Sequence, residues 1–135
     1  MSESGTRCVL LADPHHGMSE GIRGLLATKF DAVVMVADEV SLVEVAGRMQ
    51  SALAVVDTAL SRGNAPDLVR RLRQRFPHMR IVSISLHDHP SVGRSVIEAG
   101  ADGFVVKHAI ATELMDVIDI VLAAQWSGVP RNEEL

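Results

Sequence analysis

Residues 52–57, ALAVVD, form a short apolar run that ends in an aspartate. Similar runs, rich in β-branched residues, recur at even spacing over residues 7–13, 31–37, 80–86 and 102–106. Because each run has the length of a strand and is bounded by polar or turn-forming residues, the pattern predicts five β-strands. Strands that are apolar throughout are typical of a parallel sheet buried on both faces.

Between the strands, apolar residues recur every three or four positions, which is the spacing of an amphipathic helix. Further helices are predicted over residues 91–99, directly after Pro90, and over residues 110–125. The predicted apolar stripes comprise Met18, Ile22, Leu25, Leu26 and Phe30; Leu42, Val43, Ala46 and Met49; Leu68, Val69 and Leu72; and Leu114, Val117, Ile118, Val121 and Leu122. This alternation predicts a flavodoxin-like doubly wound (βα)5 three-layer sandwich with a parallel sheet of order 2-1-3-4-5.

The composition limits the function classes that the chain can serve. Its 135 residues, 47% hydrophobic and 22% charged, fit one domain, which we expect over residues 1–125, with residues 126–135 as a tail or truncated linker. A formal charge of −4 argues against nucleic-acid or anionic membrane binding. The single Cys8 excludes an internal disulfide, and no apolar stretch is long enough to span a bilayer, so we expect a cytoplasmic protein.

Polar side chains stand where four predicted strands end. Asp13 ends the first strand, Asp57 the third and Ser85 the fourth, and Lys107 follows the fifth. Parallel sheets of this kind bind ligands at the carboxyl ends of their strands. Carboxylate oxygens suit Mg²⁺, a lysine neutralises phosphoryl oxygens, and a carboxylate can act as a nucleophile.

Four segments together resemble the receiver domain of bacterial two-component response regulators, particularly of those that precede LuxR-type DNA-binding domains. They are VLLADPHHGMSEGIRGLL (9–26), SALAVVD (51–57), IVSISLHD (81–88) and EAGADGFVVK (98–107). The resemblance extends over about residues 7–125. It implies a phosphorelay function, with Asp57 accepting a phosphoryl group from a histidine kinase or a phosphotransfer protein.

The resemblance also implies roles for the surrounding residues. Mg²⁺ would be held by Asp13, Asp57 and the backbone carbonyl of Ala59. Ser85 and Lys107 would contact the phosphoryl group, and Phe104 would occupy the aromatic switch position that changes a protein-interaction surface. A receiver is a phosphoacceptor and not an enzyme, apart from slow loss of its own phosphoryl group. A homodimer is a further expectation, with no surface assigned.

One departure from the family pattern bears on this chemistry. The family has two adjacent acids after the first strand, whereas this chain has Asp13 followed by Pro14, which offers no side-chain oxygen. The loop over residues 58–65 also lacks the usual Met-Pro pair and a later glycine. The alternative hypothesis is therefore a degenerate pseudo-receiver, a protein-interaction module that works without phosphorylation.

Most of the histidines are predicted at the same edge of the sheet as Asp57. They are His15, His16, His87, His89 and His108. Imidazole is a common ligand of Zn²⁺, Ni²⁺ and Cu²⁺, so these residues are weak candidates for a transition-metal site. Solvated histidines in loops are the ordinary interpretation. The basic run Arg70, Arg71, Arg73 and Arg75 is likewise expected to face solvent.

Two other function classes share parts of this pattern. The segment DPHHG, residues 13–17, is faintly similar to the Asp-x-His-x-x-Gly loop of cobalamin-binding flavodoxin-like modules, but its glycine comes one residue too early. Phosphatases of the haloacid-dehalogenase type also use a strand-end aspartate, with a second aspartate two residues later. Ala59 occupies that position here, which argues against repeated phosphoester hydrolysis.

Overall fold

A computed structural model describes residues 7–49 and 51–126 of the chain. Five strands, β1 (Cys8–Ala12), β2 (Ala32–Val36), β3 (Leu53–Asp57), β4 (Arg80–Ser85) and β5 (Gly103–Val106), form one sheet. All neighbouring strands are parallel, in the order β2-β1-β3-β4-β5. Strand positions and sheet order confirm the sequence prediction. The order reverses between β1 and β3, so the ends of these two strands lie side by side.

Five helices connect and cover the strands. They are α1 (His16–Leu26), α2 (Glu39–Met49), α3 (Ala65–Arg75), α4 (Pro90–Ala99) and α5 (Ile110–Trp126). A 3₁₀ turn, Thr58–Ser61, follows β3, and a second one, Lys107–Ala109, follows β5. The chain is therefore an alternating α/β domain of three layers.

The two faces of the sheet bury separate apolar clusters. On one face, α1 and α5 pack on alternate strand residues such as Leu11 and Val55. On the other face, α2, α3 and α4 pack on Leu10, Ala54 and Val56. Successive strand residues point to opposite faces, so a strand covered on both sides must be apolar throughout. Burial on both faces of the sheet therefore explains why the apolar runs in the sequence are uninterrupted.

The approach of α5 to β5 depends on a glycine. A Cβ atom on Gly103 would lie 2.7 Å from Cγ1 of Val117 and 3.3 Å from Cγ2 of Val121. Contacts this close would force the helix or the strand to move. Gly103 therefore allows α5 to pack against the strand that precedes Lys107.

Local signals fix where several helices begin. Pro90 is the first residue of α4, as its fixed φ angle favours. Asn64 caps α3 by accepting a hydrogen bond from the backbone N–H of Asp67 at 3.2 Å. Asp38 accepts one from the N–H of Ser41 at 2.8 Å before α2, and this hydrogen bond lowers the pKa of the exposed Asp38 carboxyl group.

Some details differ from the sequence prediction. Met18 is 43% exposed, so its assignment to the apolar face of α1 was wrong. Phe30 is buried but lies beyond the end of α1. The last helix extends to Trp126, one residue beyond the predicted end, and residues 127–135 of the expected tail lie outside the described residues. None of the helices in the described part has the length and apolar character that a membrane span requires.

Candidate phosphoryl-acceptor site

Asp57 is the last residue of β3 and is 1% exposed. Its Oδ1 atom accepts a hydrogen bond from the backbone N–H of Ala59 at 2.7 Å, in the 3₁₀ turn that follows. This contact orients the carboxylate. Its second oxygen, Oδ2, is buried and points towards the end of β5. The carboxylate is thus held at the edge of the sheet in a fixed orientation.

Lys107 supplies the positive charge at this edge. Its side chain is buried, and its ammonium group lies 2.8 Å from Oδ2 of Asp13 and in ion-pair contact with Oδ2 of Asp57. Among the described residues, neither of these oxygens accepts a hydrogen bond, and each is instead in ion-pair contact with Lys107. We call Asp13, Asp57 and Lys107 the carboxylate–lysine site. It contains two acids for one lysine, so it attracts further positive charge.

His15 lies over the same two carboxylates. Its Nδ1 atom is 3.3 Å from Oδ1 of Asp13, 3.6 Å from Oδ2 of Asp57 and 3.3 Å from the Lys107 ammonium. The sequence placed His15 in a loose group of histidines and did not predict this contact. The signal that could have found it is the spacing Asp13–Pro14–His15, because an aspartate often bonds the backbone two residues ahead.

Ser85 ends β4 and is completely buried. Its hydroxyl oxygen accepts hydrogen bonds from the Thr58 hydroxyl at 2.9 Å and from the backbone N–H of His87 at 3.0 Å. In this state Ser85 makes no hydrogen bond to Asp57, although it ends the neighbouring strand. Thr58, which the sequence analysis had not singled out, is therefore a hydrogen-bonded neighbour of Ser85.

Phe104, in β5, is partly buried and belongs to the apolar cluster under α2, α3 and α4. Its ring packs against α4, where a Cβ atom on Gly93 would lie 2.8 Å from Cδ2 of the ring. The absence of a side chain at Gly93 makes room for the aromatic ring. Phe104 thus links the sheet to α4, and it lies between the core and the surface of the domain.

The other histidines do not join His15. His87, His89 and His108 are exposed, and Nδ1 of His89 bonds the N–H of Ser91 at the start of α4. The side chain of His16 lies outside what the structure describes. Within the described residues, Asp13, His15 and Asp57 form the one group of potential metal ligands, with ligand atoms within 4.8 Å of one another.

These donors fit a divalent cation in a different way from the one the family pattern implies. Asp13 and Asp57 offer carboxylate oxygens, while Pro14 offers none. The carbonyl of Ala59 accepts a hydrogen bond from the N–H of Arg62 at 3.3 Å and keeps a second lone pair. Because Mg²⁺ prefers oxygen ligands, this set would offer it one acid fewer than the family pattern does.

A cleft of about 650 Å³ opens beside Asp57. Its walls come from the turn after β3, the start of α3 and the first turns of α4. They include His15, Asp57, Ala59, Pro66, His87 and Val92. Asp57 lines this cleft, although its side chain is almost fully buried.

A doubly wound sheet with this carboxylate–lysine site at its reversal point defines a class of α/β signalling domains, and sequence comparison gives the family. A sequence model of the response regulator receiver domain matches residues 9–119. The chain belongs to this family.

Similar proteins support the assignment. The chain is 31% identical over 120 residues to the DNA-binding transcriptional activator DevR/DosR of Mycobacterium tuberculosis, covering 87% of this chain and 55% of that protein. It is 26% identical over 115 residues to the transcriptional regulatory protein DegU of Brevibacillus brevis, covering 84% and 49%. The chain therefore spans about half the length of these curated relatives.

Solved structures show the same fold. A LuxR-family two-component response regulator from an Aurantimonas species superimposes with a TM-score of 0.79 and 26% identity, over 89% of this chain and 87% of that one. A LuxR-family DNA-binding response regulator from Silicibacter pomeroyi gives 0.72 and 27%, over 87% and 92%. The resemblance stated from the sequence is thus confirmed at the level of family and fold.

Proposed function

We propose that this receiver accepts a phosphoryl group on Asp57 from the phosphohistidine of a histidine kinase or a phosphotransfer protein. The observation that carries the proposal is the buried Asp57 carboxylate, which is oriented by Ala59, contacted by Lys107 and placed at the wall of the adjacent cleft. A carboxylate fixed at the end of a strand needs no reorientation to attack.

In the proposed transfer, an oxygen of Asp57 forms a bond to phosphorus while the bond from phosphorus to the donor imidazole breaks. The imidazole leaves with that electron pair and takes a proton from water. Lys107 already contacts the acceptor carboxylate, so its charge can offset the negative charge that arrives. No general base is needed, because the Asp57 carboxylate is already the nucleophile.

Receiver domains generally bind Mg²⁺, and here Asp13, Asp57 and the Ala59 carbonyl would hold it. A bound Mg²⁺ neutralises phosphoryl oxygens during transfer. Because Pro14 supplies no ligand, we expect a lower Mg²⁺ affinity than in a receiver with two adjacent acids.

Modification would change the contacts of Ser85. A phosphoryl group on Asp57 adds acceptor oxygens next to β4, and Ser85 would exchange its bond with Thr58 for one to the new group. The Phe104 ring, packed on α4 at Gly93, would then repack and alter the surface that α4 presents to a partner. The chain would act as a phosphoacceptor with at most slow loss of its own phosphoryl group.

One observation favours a second candidate, a pseudo-receiver that works without phosphorylation. Pro14 removes an acid, and the ammonium of Lys107 contacts both remaining acids. A lysine that contacts both acids can hold the site in one conformation without a ligand. This candidate predicts no phosphoryl adduct under any cation condition.

Intact mass spectrometry after incubation with acetyl phosphate and Mg²⁺ distinguishes the two candidates. We expect one phosphoryl adduct on the wild type, none on Asp57→Asn, and faster formation on Pro14→Asp, which restores the missing acid. An adduct on Pro14→Asp but none on the wild type would establish the pseudo-receiver. An adduct on Asp57→Asn equal to that on the wild type would contradict Asp57 as the acceptor.

A further inference from the structure

The group formed by Asp13, His15 and Asp57 combines two oxygen donors with one nitrogen donor. Nδ1 of His15 lies 3.3 Å from Oδ1 of Asp13 and 3.6 Å from Oδ2 of Asp57. Ligands that bind one ion at about 2.0 to 2.2 Å stand about 3 to 3.5 Å apart. The imidazole nitrogen is therefore already close to the position of a third ligand.

The backbone holds His15 in this position. Its N–H donates a hydrogen bond to Oδ1 of Asp13 at 2.8 Å, which closes a turn around Pro14. The proline ring fixes one dihedral angle within that turn. The same substitution that removes an acid thus stiffens the turn that brings an imidazole over the carboxylates.

The Lys107 contact is consistent with a nitrogen donor that faces the site. An ammonium group only donates, and it lies 3.3 Å from Nδ1 of His15. In the tautomer that carries its proton on Nε2, Nδ1 presents a lone pair to this ammonium. A metal ion would take the same lone pair. The His15 side chain is 41% exposed, so an ion can approach from solvent.

Exchanging an acid for an imidazole changes which cation the site favours. The exchange removes one negative charge, which weakens the attraction for a hard, strongly hydrated ion such as Mg²⁺. Imidazole suits Zn²⁺, Ni²⁺, Cu²⁺ and Co²⁺, whose affinities for mixed nitrogen and oxygen sites exceed that of Mn²⁺. Exchanging the acid for an imidazole therefore lowers the affinity of the site for Mg²⁺ more than its affinity for these ions.

We propose that Asp13, His15 and Asp57 form a binding site for a divalent first-row transition metal ion, which binds there more tightly than Mg²⁺. Nδ1 of His15 is the third ligand in place of the acid that Pro14 replaces. The inference uses the same carboxylates as the proposed function but does not depend on phosphoryl transfer. If the metal-site proposal fails, the proposed phosphoryl transfer can still be tested, and the reverse also holds.

The test is a calorimetric titration of the tag-free chain with Co²⁺ and, separately, with Mg²⁺, accompanied by the visible absorption spectrum of bound Co²⁺. We expect Co²⁺ to bind the wild type at least about tenfold more tightly than Mg²⁺. The His15→Ala variant should lose about tenfold or more in Co²⁺ affinity, with a changed Co²⁺ spectrum, while its Mg²⁺ affinity changes by less than about twofold.

His87→Ala is the matched control, because His87 is exposed in the same cleft but belongs to no described metal group. Its Co²⁺ affinity and spectrum should equal those of the wild type. Far-UV circular dichroism without metal checks that both variants are folded. Equal Co²⁺ affinities in the wild type and His15→Ala would overturn the proposal. So would an equal loss in both variants, or wild-type Co²⁺ binding no tighter than Mg²⁺ binding.

Discussion

At the scale of single residues, the charge balance of the site rests on Lys107. Its buried ammonium lies between two carboxylates that are themselves buried, with Asp13 3% and Asp57 1% exposed. A buried ion left without its counter-charge is costly, and two like charges that share one site repel each other. Lys107 therefore stabilises the fold as well as contacting the acceptor.

The variant Lys107→Met tests this balance. We expect it to lower the free energy of unfolding by about 3 to 5 kcal/mol, because it leaves both carboxylates without their cation. Urea denaturation followed by circular dichroism measures the change.

A second substitution separates charge from packing. Adding Asp57→Asn to Lys107→Met removes one of the two repelling charges, so part of the lost stability should return. If the double variant is no more stable than Lys107→Met, the cost comes from lost packing of the lysine side chain and the charge argument is wrong.

Residue-level expectations from the sequence were right where strand ends determine position. Asp57 and Ser85 end their strands, and Asp13 and Lys107 directly follow theirs. Because these strands are parallel neighbours, periodicity alone brings the four residues to one edge. The sequence did not show which of the histidines at that edge contacts the carboxylates. That depends on the turn around Pro14 and on the direction of one imidazole ring, which strand periodicity does not determine.

At the scale of elements, Arg73 joins α3 to the segments that directly precede β4 and β5. These segments lie at the edge of the sheet opposite Asp57. Its guanidinium donates to the carbonyl oxygens of Gly100 at 2.9 Å and Met79 at 2.5 Å, and to Oδ2 of Asp102 at 2.7 Å. Asp102 also accepts from the N–H of Ile81 at 2.9 Å. The expectation that all four arginines of α3 face solvent was therefore wrong for Arg73.

We expect Arg73→Ala to lower the free energy of unfolding by about 2 to 3 kcal/mol, because it removes the nearer of the two arginines that pair with the buried Asp102 carboxylate and leaves Arg80 at 3.7 Å. Arg70→Ala is the matched control on the same helix. Arg70 is 54% exposed and lies 3.7 Å from Asp67, so its loss should cost no more than about 1 kcal/mol. Urea unfolding of both variants measures the difference, and equal small losses would show that Arg73 does not hold these elements together.

Helix α3 shows why periodicity could not single out Arg73. Leu68, Val69 and Leu72 are buried as their spacing predicts. Arg73 follows directly in the sequence, and its long side chain reaches past the apolar stripe to carbonyl groups that belong to other elements. Such a contact depends on how α3, β4 and the turn after α4 meet, which local sequence does not encode.

At the scale of the whole molecule, the two ends of the strands differ: one edge of the sheet is held by structural contacts and the other carries the candidate site. The amino-terminal ends of β4 and β5 are fixed by Arg73 and Asp102, while the carboxyl ends carry the carboxylate–lysine site. The hydrogen bond between Thr58 and Ser85 and the packing of Phe104 on Gly93 connect that site to α4. In the proposed function, a change at Asp57 would alter α4 while the opposite edge stays fixed.

Borohydride trapping tests most directly whether Asp57 becomes an acyl phosphate. Sodium borohydride reduces an aspartyl phosphate to homoserine, whereas phosphoserine and phosphohistidine do not give this product. After incubation with acetyl phosphate and a divalent cation, reduction and peptide sequencing by mass spectrometry should find homoserine at position 57 alone. Homoserine at Asp13 instead, or an adduct that leaves position 57 unreduced, would contradict the account.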